Sequence, residues 1–153
     1  MTSPSQPDVT LRPITRDNWR DCVLLKVAPS QRDFVASNEG SLAQAAYETE
    51  WMPRAIYADE TMVGFVMYGR AEDDHRYWIL RLMIGSRYQG QGYGRAGLGR
   101  ALDQMRADPN CSDIYISYEP ENTPAERLYL SMGFESTGEI IEGEKVARLR
   151  VNR

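Results

Sequence analysis

The chain has 153 residues, of which 42% are hydrophobic and 26% are charged, and its formal net charge is −4. This length fits one domain with a substantial core, and the composition is that of a soluble globular protein. The acidic balance disfavours nucleic acid as a partner, and no apolar run approaches the roughly 18 residues that would span a membrane.

The N-terminal segment, MTSPSQPD, is polar and lacks the basic and apolar regions of a signal peptide. We therefore expect a disordered tail over residues 1–8, a single domain over residues 9–153 and a cytoplasmic location. Cys22 and Cys111 lie far apart in the sequence, which favours two reduced, buried thiols over a disulfide. With His75 as the single histidine and no cysteine cluster, no metal site is expected.

In chain order, the first predicted elements are a strand and two helices. Residues 9–15 alternate between apolar and polar types, as a half-buried strand does. The helical spacing that follows predicts one helix with Thr15 as its N-cap, ended by Pro29. A second helix is expected to begin with Ser41 as its cap and to stop at Pro53.

Strands and helices alternate through the rest of the chain. The predicted elements are, in order, a hairpin over 54–69, a buried strand over 76–85, a helix over 94–108, a strand over 112–119, a helix over 122–134 and a hairpin over 137–151. The helix at 94–108 is expected to bury Leu98, Ala101, Leu102 and Met105. This order indicates a mixed α/β sheet with helices on its faces.

Five glycines crowd the segment SRYQGQGYGRAGLGRAL, residues 86–102, although glycine is costly inside a helix. Gly92, Gly94 and Gly97 match the GxGxxG loop of dinucleotide-binding proteins, with Glu119 as the acidic residue further on. Too little chain follows Glu119 for the rest of such a domain, and no Walker loop occurs in the sequence. Close packing of a helix on a sheet is a second interpretation.

A third interpretation explains more of the sequence. The segment QGQGYG fits the pattern Q/R-x-x-G-x-G/A and resembles the acetyl-CoA motif of the GCN5-related N-acetyltransferase (GNAT) superfamily. Another family pattern, N-x-x-A-x-x-x-Y-x-x-x-G-F, is matched by Asn122, Ala125, Tyr129, Gly133 and Phe134. The order of elements resembles that of the family over nearly the whole chain. The resemblance implies a GNAT fold, with a mixed central sheet of about seven strands and about four helices on both faces.

The resemblance also implies acetyl-CoA as cosubstrate. Glycines leave backbone N–H groups open to a pyrophosphate at a helix N-terminus, and Arg87 and Arg95 add positive charge. In the family, the strands corresponding to 76–85 and 112–119 splay apart and expose backbone groups. The residues then expected to bind the cosubstrate are Leu82, Met83, Ile84, Gln89, Gly90, Gln91, Gly92, Tyr93, Gly94, Arg95, Asn122 and Tyr129.

Acetyl transfer to an amine requires a neutral amine, donors for the developing oxyanion and a proton for the leaving thiolate. The resemblance implies that Tyr129 is the general acid. Polyamine acetyltransferases often carry an acidic residue early on the strand before the glycine segment, where this chain has Leu80 followed by Arg81. Neither side chain takes a proton from an ammonium, so the base is expected elsewhere, for example at Glu119 or in a chain of waters. His75 is a further candidate base by type, but its charged segment, EDDHRY, favours an exposed turn residue.

Several further segments, including QRDFVASNEGSLAQA, resemble the bacterial diamine and spermidine/spermine N-acetyltransferases. This resemblance implies a polyamine acceptor, with Phe34, Asn38, Tyr47 and Trp51 near it, and Glu119 as an orienting group. The acidic residues on the elements expected to form the acceptor side are Asp33, Glu39, Glu48, Glu50, Asp73, Asp74, Glu139, Glu142 and Glu144. The alternatives are an aminoglycoside, another small amine, a protein N-terminus, or a non-catalytic CoA-binding sensor. The last hairpin is expected to pair across a homodimer, as is common in the family.

Overall fold

Seven strands form one twisted sheet in the computed structural model, which describes residues 7–151. The strands are β1 Val9–Pro13, β2 Trp51–Ala58, β3 Thr61–Arg70, β4 Tyr77–Ile84, β5 Asp113–Tyr118, β6 Glu135–Ile141 and β7 Glu144–Arg150. The α-helices of this part of the chain are α1 Trp19–Leu24, α2 Asn38–Tyr47, α3 Tyr93–Arg106 and α4 Thr123–Ser131. Short 3₁₀ turns occupy Pro29–Gln31 and Ser86–Tyr88.

The strand order in the sheet is β1-β2-β3-β4-β5-β7-β6. Every neighbouring pair is antiparallel except β4 and β5, which are parallel and are joined through α3. The predicted element order and the predicted mixed α/β sheet are confirmed. The last hairpin turns at Glu142-Gly143 and returns β7 between β5 and β6.

Two apolar clusters cover opposite faces of the sheet, because successive strand residues point to alternate sides. One cluster holds Ile56, together with the predicted buried residues of α3 and with Tyr129 of α4. The other holds Ala55, Phe65 and Met83, together with Cys22 of α1. Helices α3 and α4 therefore lie on one face, and α1 and α2 lie on the other.

Helix α1 begins later than the sequence predicts. Asn18, not Thr15, is the N-cap residue, and the helix ends at Leu24, well before Pro29. The Asn18 Oδ1 accepts a hydrogen bond from the Thr15 N–H at 2.7 Å, and the Thr15 hydroxyl accepts one from the Asp17 N–H at 3.2 Å. These bonds close a separate turn ahead of the helix, which sequence periodicity does not reveal.

Helix α2 begins earlier than predicted, with Ser37 as its cap instead of Ser41. The Ser37 Oγ accepts a hydrogen bond from the Gly40 N–H at 3.1 Å, whereas Ser41 is buried inside the helix. The helix ends at Tyr47, and Pro53 lies in β2. The pairing of β1 with β2 ends at Arg54, so Pro53 has no β1 neighbour and its missing N–H breaks no bond to that strand.

Asp8, at the end of the predicted tail, is hydrogen-bonded to the turn between β2 and β3. The Asp8 N–H donates to Asp59 Oδ1 at 3.0 Å, and the Asp59 N–H donates back to the Asp8 carbonyl at 2.9 Å. Residues 1–6 of the predicted tail lie outside the described residues. Cys22 and Cys111 are both buried and form no disulfide, as predicted. His75 is an exposed turn residue with φ 60°.

Candidate active site

A cleft of about 1070 Å³ opens where β4 and β5 diverge. The two strands pair only from Tyr77↔Ile114 to Ile79↔Ile116, after which residues 80–84 continue along β3 alone. A β-bulge lies at this point, because Ile79 and Arg81 pair with consecutive residues of β3 and Leu80 is left over. The divergence leaves the β5-facing backbone edge of residues 80–84 open to the cleft.

One end of the cleft is formed by the glycine loop, residues 89–95, which runs into the N-terminus of α3. Gly90 and Gly92 have φ of 79° and 85°, and a Cβ added at either would meet nothing within 4 Å. Their left-handed backbone, and not crowding, is therefore what requires glycine. The N–H groups of the first helical turn have no partner inside the helix, so this end can hold a phosphate group.

Gln89 and Gly97 of the same segment have structural contacts. The Gln89 Nε2 donates to the Ile84 carbonyl at 2.9 Å and to Gln31 Oε1 at 2.8 Å, which ties the loop to the end of β4. A Cβ on Gly97 would lie 2.7 Å from Ile56 Cδ1. The interpretation as close helix–sheet packing therefore holds for Gly97, one turn beyond the loop.

Tyr129 reaches the cleft from α4. Its ring is 7% exposed and packs against Tyr118 and Phe134, with ring centroids 5.7 and 6.1 Å away. The helix starts at the predicted cap, where Asn122 Oδ1 accepts a hydrogen bond from the Ala125 N–H. Burial raises the pKa of the Tyr129 hydroxyl, and the charges of Glu144 and Tyr118 add to this effect. The hydroxyl is therefore protonated at neutral pH and available as a proton donor.

The other part of the cleft is acidic and aromatic. Six carboxylates line the cleft: Asp33, Asp73, Asp74, Glu119, Glu142 and Glu144. Phe34, Trp51 and Trp78 lie among them, and the Trp78 Nε1 donates to Asp74 Oδ2 at 3.1 Å. Carboxylates and aromatic faces both attract cations, so this part of the cleft suits a positively charged ligand.

Arg81 places one cation inside this acidic lining. Its Nη1 donates to the Leu80 carbonyl at 2.9 Å and its Nη2 donates to Gln44 Oε1 at 3.3 Å. Its Nε is buried without a hydrogen-bond partner within residues 7–151. Burial lowers the pKa of the guanidinium, while the charges of Glu144 and Glu48 act in the opposite direction.

Most residues that the sequence assigns to the site meet in this cleft. The predicted residues that line it are Phe34, Trp51, Leu82, Met83, Ile84, Gln89, Gly90, Gly92, Tyr93, Gly94, Arg95, Glu119, Asn122 and Tyr129.

Three of the predicted residues lie outside it. Gln91 is exposed on the loop, and Tyr47 is 90% exposed on α2. Asn38 is buried, and its Nδ2 donates to the Cys22 carbonyl at 2.9 Å and to Met83 Sδ.

Glu144 is the functional candidate that the sequence does not single out. Its Oε1 accepts a hydrogen bond from the Ser117 hydroxyl at 2.9 Å. Pairing of β7 with β5 places it at the end of β5, beside the opening between β4 and β5. Among the other expected acidic residues, Glu39 pairs instead with Lys26, and Glu139 pairs with Arg76. The position of Glu144 follows from the sequence only if the last hairpin is also predicted to pair with the strand at 112–119.

Over residues 7–151, no helix has both the length and the apolar character needed to cross a membrane. The same part of the chain holds no group of three or more His, Cys, Asp or Glu side chains placed to bind a metal ion.

A parallel strand pair that diverges beside a glycine-rich helix N-terminus is the arrangement that the resemblance to the acetyltransferases implies. Residues 11–134 match the profile of the Acetyltransferase (GNAT) family, and the chain belongs to this family. Over 145 residues it is 32% identical to the spermine/spermidine N(1)-acetyltransferase of Bacillus subtilis (strain 168), which covers 90% of this chain and 95% of that protein.

Solved structures share the fold at lower identity. The spermidine N-acetyltransferase of Vibrio cholerae, in complex with CoA and spermine, superposes with a TM-score of 0.72 at 21% identity over 94% of each chain. Arabidopsis thaliana NAA60, in complex with a bisubstrate analogue, superposes with a TM-score of 0.68 at 18% identity over 95% of this chain and 99% of that one. The predicted family and fold are confirmed.

Proposed function

We propose that the protein moves an acetyl group from acetyl-CoA to a primary amine of a polyamine such as spermine or spermidine, by direct attack in a ternary complex. One observation carries the proposal: a single cleft joins an anion-binding helix N-terminus to six carboxylates across the opening between β4 and β5. Membership of the GNAT family supports the donor, and the name of the Bacillus relative supports the acceptor.

The residues that line the cleft fit acetyl-CoA, which supplies the thioester. The glycine loop and the first turn of α3 bind its pyrophosphate through backbone N–H groups, with Arg95 adding charge. The open backbone edge of residues 82–84 hydrogen-bonds the pantetheine arm and offers a donor to the developing oxyanion. Tyr129 donates its proton to the departing sulfur, since its hydroxyl stays protonated at neutral pH.

The acceptor lies among the six carboxylates and the aromatic side chains. A polyamine is long and carries several positive charges, so its distal ammonium groups pair with carboxylates while one terminal amine reaches the opening. Phe34 and Trp51 offer aromatic faces to the same cation. Holding both substrates in one cleft supplies the proximity and orientation that direct transfer requires.

Two further properties belong to this proposal. The protein acts in the cytoplasm, where Cys22 and Cys111 stay reduced and form no disulfide. It is a homodimer that pairs through β6, an edge strand on which Ile140 and Ile141 are 61% and 40% exposed. Sedimentation equilibrium at micromolar concentration tests the dimer, and a monomer there contradicts it.

A panel of amines tests the proposed activity. Purified protein is incubated with acetyl-CoA and, separately, with spermine, spermidine, putrescine, lysine, an aminoglycoside and a peptide N-terminus, and the release of free thiol is followed. The proposal predicts the highest kcat/KM with spermine or spermidine. Turnover on lysine, the aminoglycoside or the peptide alone contradicts the polyamine assignment but keeps the acetyl transfer.

A further inference from the structure

We infer that Glu144 is the carboxylate that receives the proton of the acceptor amine, in place of the acid that is missing at Leu80. This inference rests on the proposed acetyl transfer and assigns to that reaction its missing base.

The strand register places Glu144 at the end of β5, beside the gap where β4 and β5 no longer pair. Val146, two residues further along β7, packs in the cluster with Trp51 and Met83 on the α1 and α2 face. Side chains two apart on a strand share a face, so Glu144 also points to this face. Tyr129 comes from the opposite face, and the divergence of β4 and β5 opens the sheet between them.

Ser117 holds one oxygen of Glu144 and leaves the other open. The Ser117 hydroxyl donates to Oε1 at 2.9 Å, and Oε2 has no hydrogen-bond partner within the described residues. A carboxylate fixed in this way has a defined direction, which a proton acceptor needs. Ser117 and Glu144 both line the cleft.

Carboxylates outnumber cations around Glu144. Arg81, on β4, and Tyr129, on α4, line the same cleft as Glu144. Glu119 and Glu142 are the other carboxylates at this side of the cleft. The guanidinium of Arg81 disfavours a second cation, but these carboxylates favour one, so the amine binds as an ammonium and needs a proton acceptor before it can attack.

Glu119, the base expected from the sequence, lacks this support. It follows β5 directly and lines the cleft, but no side-chain hydrogen bond within residues 7–151 fixes its carboxylate. Leu80 and Arg81, on the opposite strand, have no proton-accepting group at neutral pH. Glu144 is therefore the carboxylate at this side of the cleft that a side-chain hydrogen bond holds in place.

The proton steps balance with no further reactant. Glu144 takes one proton from the ammonium and returns it to solvent. The neutral nitrogen attacks the thioester carbonyl, forming the C–N bond, and the C–S bond then breaks. The leaving sulfur takes the Tyr129 proton, and the second N–H proton of the attacking nitrogen restores the Tyr129 hydroxyl. The products are the N-acetylated amine, CoA thiol and one released proton.

Three glutamine variants and one aspartate variant test the assignment: Glu144→Gln, Glu119→Gln, Glu135→Gln and Glu144→Asp. Each glutamine variant loses one negative charge, and Glu135, exposed on β6, is the control outside the cleft. For each, kcat and KM are measured with the best acceptor of the amine panel from pH 6.5 to 9.5. Acetyl-CoA binding and thermal unfolding are measured in parallel to establish that each variant is folded.

We expect Glu144→Gln to lower kcat about 100-fold at pH 7, with KM within about threefold of the wild-type value. The loss shrinks toward pH 9.5, because a growing share of the amine is then neutral in solution. Glu144→Asp keeps a carboxylate and retains more activity than Glu144→Gln. Glu135→Gln behaves as the wild type.

Three results overturn the inference. A change in KM alone in Glu144→Gln indicates a binding role, and a loss that does not depend on pH indicates a structural one. A large fall in kcat in Glu119→Gln, with Glu144→Gln near the wild type, assigns the base to Glu119 instead. These results leave the proposed acetyl transfer standing, whereas a wild-type protein inactive on every amine refutes both.

Discussion

At the scale of single residues, the burial of Tyr129 determines the protonation state of its hydroxyl. The ring is buried between Tyr118 and Phe134, and burial raises the pKa of its hydroxyl. A tyrosine with a raised pKa holds its proton through the whole range in which enzymes are assayed. This environment supports the proposed role of Tyr129 as an acid toward the thiolate, with the proposed base at a different residue.

Replacement of Tyr129 by phenylalanine tests this role. The structure gives the Tyr129 hydroxyl no hydrogen-bond partner within residues 7–151, so we expect the free energy of unfolding to change by less than about 1 kcal/mol. Without the proton donor, kcat should fall by about 100-fold, and binding of acetyl-CoA should persist. Steady-state kinetics and urea denaturation give both values.

The matched control is Tyr115→Phe, which removes a hydroxyl on β5 outside the cleft. Its ring still packs on Trp78, so activity is expected to stay at the wild-type level. Full turnover by the Tyr129→Phe protein would falsify the acid role.

At the scale of elements, the glycine-rich segment combines two requirements in adjacent turns. Gly90 and Gly92 have left-handed backbone in the loop, whereas Gly97 lets α3 approach β2 at Ile56. Gly99 meets neither requirement, since a Cβ there would have nothing within 4 Å. Glycine is thus required by backbone conformation at Gly90 and Gly92, by packing at Gly97, and by neither at Gly99.

The variants Gly97→Ala and Gly99→Ala test whether packing requires glycine at the first position and not at the second. At Gly97 the added methyl group would lie 2.7 Å from Ile56 Cδ1, so we expect a loss of about 1–3 kcal/mol from overpacking. At Gly99 alanine is a better helix former, and we expect a gain of up to about 1 kcal/mol. Urea denaturation measures both, and equal stability of the two variants contradicts the packing argument.

The sequence predicts the strands well and the helix ends poorly. Alternation and turn residues place every strand, and the helix at 94–108 buries the predicted side chains because its periodicity is strong. The starts of α1 and α2 depend on which of several nearby Thr, Asn and Ser side chains caps the helix. Ser37 and Ser41 are equally good caps by type, and only the tertiary packing that buries Ser41 decides between them.

The site was predictable where it lies within one motif, as at the glycine loop and on α4. It was not predictable where two distant strands create it. Glu144 and Ser117 are 27 positions apart and meet because β7 inserts between β5 and β6. Tyr47 and Asn38 were both expected near the acceptor, but they lie on different sides of α2. Tyr47 points to solvent, and Asn38 points into the core.

At the scale of the whole molecule, burial of ionisable groups sets the alkaline limit of stability. Burial, together with Glu126, raises the pKa of Tyr118 to about 12, and burial raises the pKa of Tyr129 as well. Burial also raises the pKa of the Cys22 thiol to about 11. In the unfolded chain these groups lose their protons at lower pH.

We therefore expect the free energy of unfolding to fall as the pH rises from about 9 to 12. In this window the unfolded state binds fewer protons than the folded state, so the slope of stability against pH is negative. Below about pH 7.5 both states are protonated at these groups and the contribution is constant. Urea denaturation at a series of pH values measures the slope, and a flat profile to pH 11 contradicts the account. Tyr118→Phe should reduce the slope.

The central claim is that one cleft holds both substrates at once and that the amine attacks the thioester directly. Initial rates measured while the concentrations of acetyl-CoA and spermine are both varied test it most directly. The account predicts double-reciprocal lines that intersect, as a ternary complex requires, and an acetylated polyamine as product. Parallel lines, which indicate an acetylated enzyme intermediate, or consumption of acetyl-CoA without an acetylated polyamine, would contradict it.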